Sequence, residues 1–347
     1  MAKQRVLITG VSRFLGGRLA QRLESDPEIE GIIGVDTDEP TIDLQRTEFV
    51  RADIRNPLII KVLKAGEIDT LVHASVVATP AGAGGRSNMK EINVIGTLQL
   101  LAAAQKHEGL KKVVMKSSTA IYGSEPTDPA IFTEEMAPRS QPRTGYAKDA
   151  VEVENYARGF GRRRPDVTLT ILRFANFIGP LIDTPLTRYF QLPVMPTPFG
   201  FDPRMQFLHE DDAIEALYSA VRDTHPGTFN VSGDGVLYLS QAIRLAGKVP
   251  MPILLPFANV VAAAVRRTGL VDFSPEQIRF LLYGRVGDVA RLKEVFGFTP
   301  QHTTREAFED FVATRRLARI FTSEQAEQWE QDVYRFLSRR PAWAGSI

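Results

Sequence analysis

The chain contains no cysteine. Disulfides, thiolate nucleophiles and zinc sites built on cysteine are thereby excluded. Histidine is sparse too: His73, His107, His209, His225 and His302 show no pair at ligand spacing, so no metal site is expected. An excess of one charge is also missing. Lys and Arg total 42 against 41 Asp and Glu, a formal net charge of +1, which argues against nucleic acid or an anionic membrane as partner. The most apolar late stretch, Pro250–Val265, is broken by three prolines and closed by Arg266-Arg267, too short to span a bilayer. Its helix around Val260–Val265 reads as the core of a cap. No apolar leader with a small-residue cleavage site precedes Val6, so no export signal is read and a cytoplasmic location is expected.

What is present is alternation. Short apolar runs at Val6–Ile8, Gly31–Val35, Thr70–His73, Val113–Met115 and Leu169–Leu172 read as strands. Between them, Leu15–Glu24, Ile92–Gln105 and Ala147–Ala157 carry apolar residues at helical spacing. Strands alternating with helices imply right-handed crossovers and a doubly wound α/β fold, a parallel sheet whose ligands sit at the strands' carboxyl ends. A Rossmann domain over 1–176 is expected, with returning elements near 207–235 that include a strand at Thr228–Val231. Residues 177–206 and 236–321 would form a smaller, mostly helical substrate-binding lobe. The tail 322–347 reads as a polar amphipathic helix.

The first strand runs into Thr9-Gly10-Val11-Ser12-Arg13-Phe14-Leu15-Gly16, a turn where a dinucleotide pyrophosphate would rest on helix amides. Gly10 suits the tight turn and Gly16 the close helix contact. Arg13 stands where a middle glycine would let the backbone approach the phosphates. It either swings out to bind phosphate or blocks the ordinary pose. Asp36, at the end of the second strand, suits the adenosine ribose hydroxyls and argues for NAD rather than NADP. Arg13 leaves two other arrangements open, a contact with a 2′-phosphate or a pair with Asp36.

Further landmarks follow in order: Asp53-Ile54; His73-Ala74-Ser75; Asn93-Val94-Ile95-Gly96-Thr97; Ser117-Ser118-Thr119-Ala120-Ile121-Tyr122-Gly123; Leu172 to Pro180; Phe207 to Ala213; and Arg285-Val286-Gly287-Asp288. Together with the glycine turn, this series resembles the extended short-chain dehydrogenase/reductases, the NAD-dependent epimerase/dehydratase family. The likeness is greatest to its UDP-glucose 4-epimerase-like actinobacterial type. The resemblance implies a cofactor site at Gly10, Arg13, Phe14, Leu15, Gly16, Asp36, Asp53, Ile54, His73, Ala74, Ser75, Asn93 and Tyr146. It implies a nucleotide-sugar contact at Asn176, Arg204, Arg285 and Asp288, and a homodimer built from helices such as Ile92–Gln105 and Ala147–Ala157.

The family's proton carrier is a tyrosine four residues before a lysine, with a nearby hydroxyl. Here Tyr146 and Ser118 match, and Ala150 takes the lysine's place. An unassisted tyrosine has a pKa of about 10, so roughly one in a thousand is phenolate at neutral pH. Lys148 lies about 200° round the helix from Tyr146 and faces away. Lys116 shares a strand face with Ser118 and is the candidate replacement cation, unless it snorkels to solvent. Three functions remain open: a sugar-nucleotide epimerase or dehydratase using transient hydride transfer, a degenerate nucleotide-binding or regulatory protein, or an NAD(P)-linked reductase with another proton donor.

Overall fold

The computed structural model describes residues 3–79, 83–137, 142, 145–256 and 275–315. The helix expected around 260–265 and the tail helix of 322–347 lie outside them. Seven parallel strands form the main sheet: β1 (Gln4–Thr9), β2 (Ile29–Asp36), β3 (Thr47–Arg51), β4 (Thr70–His73), β5 (Lys112–Ser118), β6 (Thr168–Phe174) and β7 (Gly227–Val231). Their spatial order is β7-β6-β5-β4-β1-β2-β3. The sheet therefore reverses direction between β1 and β4, which is where such sheets bind ligands.

Strand alternation sorts the apolar residues onto two faces. Val6, Ile8, Val72, Val114 and Leu172 join a cluster with Leu19 and Leu23 of the helix Phe14–Glu24 and Leu217 of the helix Glu210–Arg222. Leu7, Leu71, Val113, Met115 and Ile171 point the other way, against Leu63, Leu100 and Phe160. Both faces are covered, so the central strands are apolar almost throughout. β3 was not expected from the sequence. Thr47-Glu48-Phe49-Val50-Arg51 is an edge strand, exposed enough to carry two charges.

The expected helix Ile92–Gln105 is longer and irregular. It begins as Arg86–Lys90, widens to a π-helix over Glu91–Gly96 and continues as Thr97–Gln105. A separate apolar cluster gathers Tyr189, Phe190, Phe207, Leu239, Phe308 and Phe311 from the later chain. That part is less helical than expected: Val249–Ile253 pairs in parallel with Val194–Pro198. No helix among the described residues is long and apolar enough to cross a membrane.

Candidate active site

The carboxyl ends of β1, β4 and β5 open into a cavity of about 1090 Å³. Its floor begins at the glycine turn. Gly10 has φ +79°, and a Cβ there would fall 2.7 Å from Ser75 Cα; one at Gly16 would fall 2.1 Å from the Gly10 carbonyl oxygen. Only glycine lets these three segments touch. The helix Phe14–Glu24 then starts with Arg13 in extended conformation at its N-cap, without a side-chain cap.

At the end of β2, Asp36 is held in place by its neighbours. Its carboxylate accepts from Ser12 N at 3.2 Å, from the Ser12 hydroxyl, and from Thr37 N at 2.8 Å. Arg13 makes no pair with Asp36. Asp53 is committed to Arg55, whose Nε and Nη2 lie 2.9 and 2.6 Å from Asp53 Oδ2. That guanidinium holds the Asp53 carboxyl below its usual range. Ile54 packs so closely under Gly96 that a Cβ there would fall 2.8 Å from its Cδ1.

His73 is fully enclosed between Thr9 Oγ1 and Thr97 Oγ1, each 2.8 Å from a ring nitrogen, with Ser75 Oγ at 3.3 Å. Burial pushes its imidazole down to about 3, so it is neutral. Asn93, in the π-helical segment, donates to Val77 O and accepts from Val77 N, both at 2.8 Å. These bonds clamp the segment after β4, which lines the cavity through Ala74, Val76 and Val77.

Ser118 ends β5 and Tyr146 opens the helix Gly145–Arg163. The Ser118 hydroxyl acts on the Tyr146 phenol, and both side chains line the cavity. Ser118 Oγ also accepts from Ala120 N at 3.1 Å, which fixes its rotamer. Next to Ser118 on β5, Ser117 donates to Glu154 at 2.6 Å. Glu154 in turn is bound by Arg173 at 2.9 and 2.7 Å, a buried ion pair locking β5, β6 and this helix together.

Ala150 is buried beside Ile121, Tyr122 and Phe132, an apolar surround with no room prepared for an ammonium. Burial pushes the Tyr146 phenol up to about 12, against the Ser118 hydrogen bond and the charge of Arg285. Arg285 is held by Gly123 O at 2.9 Å and Thr119 Oγ1 at 3.3 Å, over the Phe280 ring. Lys116 does not snorkel to solvent. It lines the cavity, and its Nζ donates to Val76 O at 3.3 Å.

Residues 6–232 match the model of the NAD dependent epimerase/dehydratase family. The chain belongs to that family. An uncharacterized protein of Mycobacterium tuberculosis is 45% identical over 351 residues, covering 98% of this chain and 93% of its own. UDP-glucose 4-epimerase of Mycolicibacterium smegmatis is 27% identical over 318 residues, covering 86% and 94%. Among solved structures, UDP-glucose 4-epimerase of Thermotoga maritima with UDP-glucose aligns with TM-score 0.69 at 19% identity, over 90% of this chain and 98% of that one. UDP-glucuronic acid 4-epimerase of Bacillus cereus with NAD aligns at 0.67 and 18%, over 90% and 98%. These two show the shared fold.

For an epimerase/dehydratase family member, the expected substrate contacts divide. Asn176 and Arg285 line the cavity, whereas Arg204 and Asp288 stand outside its lining. The Arg204 carbonyl packs on Gly284, and Asp288 Oδ1 accepts from Ala290 N at 2.9 Å, opening a short helix. The histidines need a correction as well. His209 and His302, 93 residues apart in sequence, stack at 4.0 Å and 24°, next to Asp212. Asp212 accepts from Gln301 N, His302 N and the His302 ring, and His209 meets Asp310 at 3.2 Å. One ligand atom from each of His209, Asp212 and His302 lies within 4.8 Å of the others, so the fold assembles a group that could hold a metal ion where the sequence showed no pair at ligand spacing.

Three contributors were missed in the sequence. Glu276 Oε2 accepts from Tyr146 N at 3.2 Å, and Arg86 grips the buried Asp149 at 2.6 and 2.7 Å, with Arg173 as the third. Arg173 lay inside the Leu172–Pro180 landmark, but nothing in the sequence paired it with Glu154. Glu276 gave no signal, being 130 residues from its partner.

Proposed function

We propose that the protein is a sugar-nucleotide epimerase or dehydratase-like enzyme using NAD. The observation that carries this reading is that Ser118 and Tyr146 line one cavity with the glycine turn's Ser12, Arg13, Phe14 and Leu15. Gly10 and Gly16 form a cradle that a Cβ would fill, and Asp36 ends β2 where a ribose would be read. These residues fit a dinucleotide, and the acid at position 36 favours NAD over NADP. NAD, when bound, supplies the hydride acceptor and donor. A nucleotide sugar is the substrate class, as the neighbours bound to UDP-glucose and UDP-glucuronic acid suggest.

In this reading Ser118 hydrogen-bonds the substrate hydroxyl being oxidised. Tyr146 Oη takes its proton and returns it when the oxygen is reduced again. Arg285 supplies the positive charge acting on Tyr146 that the family draws from lysine. Asn176 and Arg285 border the sugar-nucleotide space. A catalytically degenerate binding protein is the second reading, and its specific support is Ala150 in an apolar surround together with a phenol pushed up rather than down.

The test is to denature the purified protein, identify the released nucleotide by mass spectrometry, and assay the native protein with UDP-sugars. Released NAD with epimerised or dehydrated sugar supports the enzyme. NAD without turnover on any sugar selects the binding protein, and a protein that neither carries nor binds NAD overturns both.

A further inference from the structure

Five cations line the cavity among the described residues: Arg13, Lys116, Arg188, Arg279 and Arg285. Three of them have a carboxylate to face. Arg188 pairs with Asp183 at 2.5 Å, Arg279 pairs with Glu125, and Arg285 lies in the attractive field of Glu276 and Asp128. Arg13 and Lys116 are different. The charge that acts on Lys116 is that of Arg13, and no carboxylate offsets it.

Their remaining contacts are thin. Arg13 Nε is sealed from solvent without a hydrogen-bond acceptor. Lys116 Nζ has one neutral carbonyl, Val76 O, at 3.3 Å. The adjacent helix Phe14–Glu24 aims its N-terminus at the same place, with no acidic residue in its first turn and no side-chain cap. Two cations and a helix N-terminus thus converge in a partly desolvated space, where like charges repel more strongly than in water. Burial and Arg13 together pull the Lys116 ammonium down to about 8.

We propose that Arg13 and Lys116 form a seat for an anionic group, a phosphate or a carboxylate, of the ligand that enters this cavity beside Ser118 and Tyr146. The inference takes from the proposed function only that nucleotide ligands use this cavity. An anion between the two cations replaces their repulsion by two charge-assisted hydrogen bonds and satisfies the orphan Nε. The anion has two possible sources, the cofactor's diphosphate and an acidic group on the substrate. In either case the arginine at the glycine position becomes a ligand-holding residue, and the lysine two places before Ser118 its partner.

The experiment is an acylation footprint of the full-length protein at pH 8, read by mass spectrometry of the Lys116 peptide, with calorimetry of the same probes. Inorganic pyrophosphate should slow acylation of Lys116 by about tenfold or more, and Arg13→Gly and Lys116→Met should each weaken pyrophosphate binding by about tenfold. Arg13 stands at a helix N-cap in ordinary extended conformation, where glycine is well tolerated, so a folded variant is expected. Protection by ADP-ribose assigns the seat to the cofactor's diphosphate. Protection by UDP-glucuronate but not UDP-glucose assigns it to a substrate carboxylate. If NAD binds while Lys116 stays fully reactive with every probe, the seat is refuted and the proposed function stands. If pyrophosphate protects Lys116 but no dinucleotide binds, the seat stands and the NAD reading fails; if nothing binds or protects, both fail.

Discussion

Glu276 Oε2 accepts a hydrogen bond from the backbone N–H of Tyr146 at 3.2 Å, so an acid from a distant helix caps the helix that carries the site's phenol. The contact depends on Gly145, φ +70°, where a Cβ would fall 1.5 Å from Glu276 Oε1. Glu276→Ala removes this cap and should cost about 1 kcal/mol, read by urea denaturation. Glu276→Gln keeps an acceptor and separates charge from geometry. Burial holds the Glu276 carboxyl above its ordinary value of 4.5. The folded state therefore binds the proton more tightly than the unfolded one, and stability from this group falls as pH rises past 4.5. That decline should be smaller in Glu276→Gln, and an unchanged slope would refute the assignment.

Tyr146 sets the pH profile of any proton transfer through it. A phenol pushed up to about 12 is ionised in only about one molecule in 100,000 at pH 7, and the fraction grows about tenfold per pH unit. Activity, measured as kcat/KM on a UDP-sugar, should climb steadily from pH 7 to pH 9 without a plateau. Tyr146→Phe should abolish the climb together with turnover.

Ala150→Lys restores the family's residue in a pocket built for an alanine. The new side chain must displace Ile121, Tyr122 or Phe132, and a loss of about 1–3 kcal/mol in stability is expected. Its charge should pull the Tyr146 phenol down and move the rising limb of the pH profile to lower pH. A stable variant with an unmoved profile would mean that the lysine cannot reach the phenol from this backbone.

Gly10→Ala places a side chain at φ +79° and 2.7 Å from Ser75 Cα. Strain and overlap should lower stability by about 1–3 kcal/mol and weaken dinucleotide binding, as calorimetry will show. Normal NAD affinity in this variant would remove the glycine turn from the cofactor site.

Asp212→Ala leaves the Gln301 and His302 amides without their acceptor and loosens the stacked His209–His302 pair. A cost of about 1–3 kcal/mol is expected from thermal unfolding.

Much of the fold was legible because it rests on periodicity. Val6, Leu7 and Ile8 fill both faces of a buried strand, and such a run between helical segments has one parallel-sheet reading. β3 escaped because an edge strand with Glu48 and Arg51 has no continuous apolar run to show. The glycine turn and Asp36 were visible at the ends of β1 and β2, whereas Ser118 and Tyr146 were named by resemblance to the family's motif. Lys116 and Ser118 facing one cavity followed from strand alternation alone.

What the sequence determined by itself was the sheet and the glycine turn, since each is a matter of local pattern. Only the tertiary structure decided which charges meet. Arg13 and Lys116 line one cavity, Glu276 reaches Tyr146 across 130 residues, and His209 stacks on His302. The physical reason is range: backbone periodicity is written over a few residues, whereas an electrostatic pairing depends on distances that chain order does not encode.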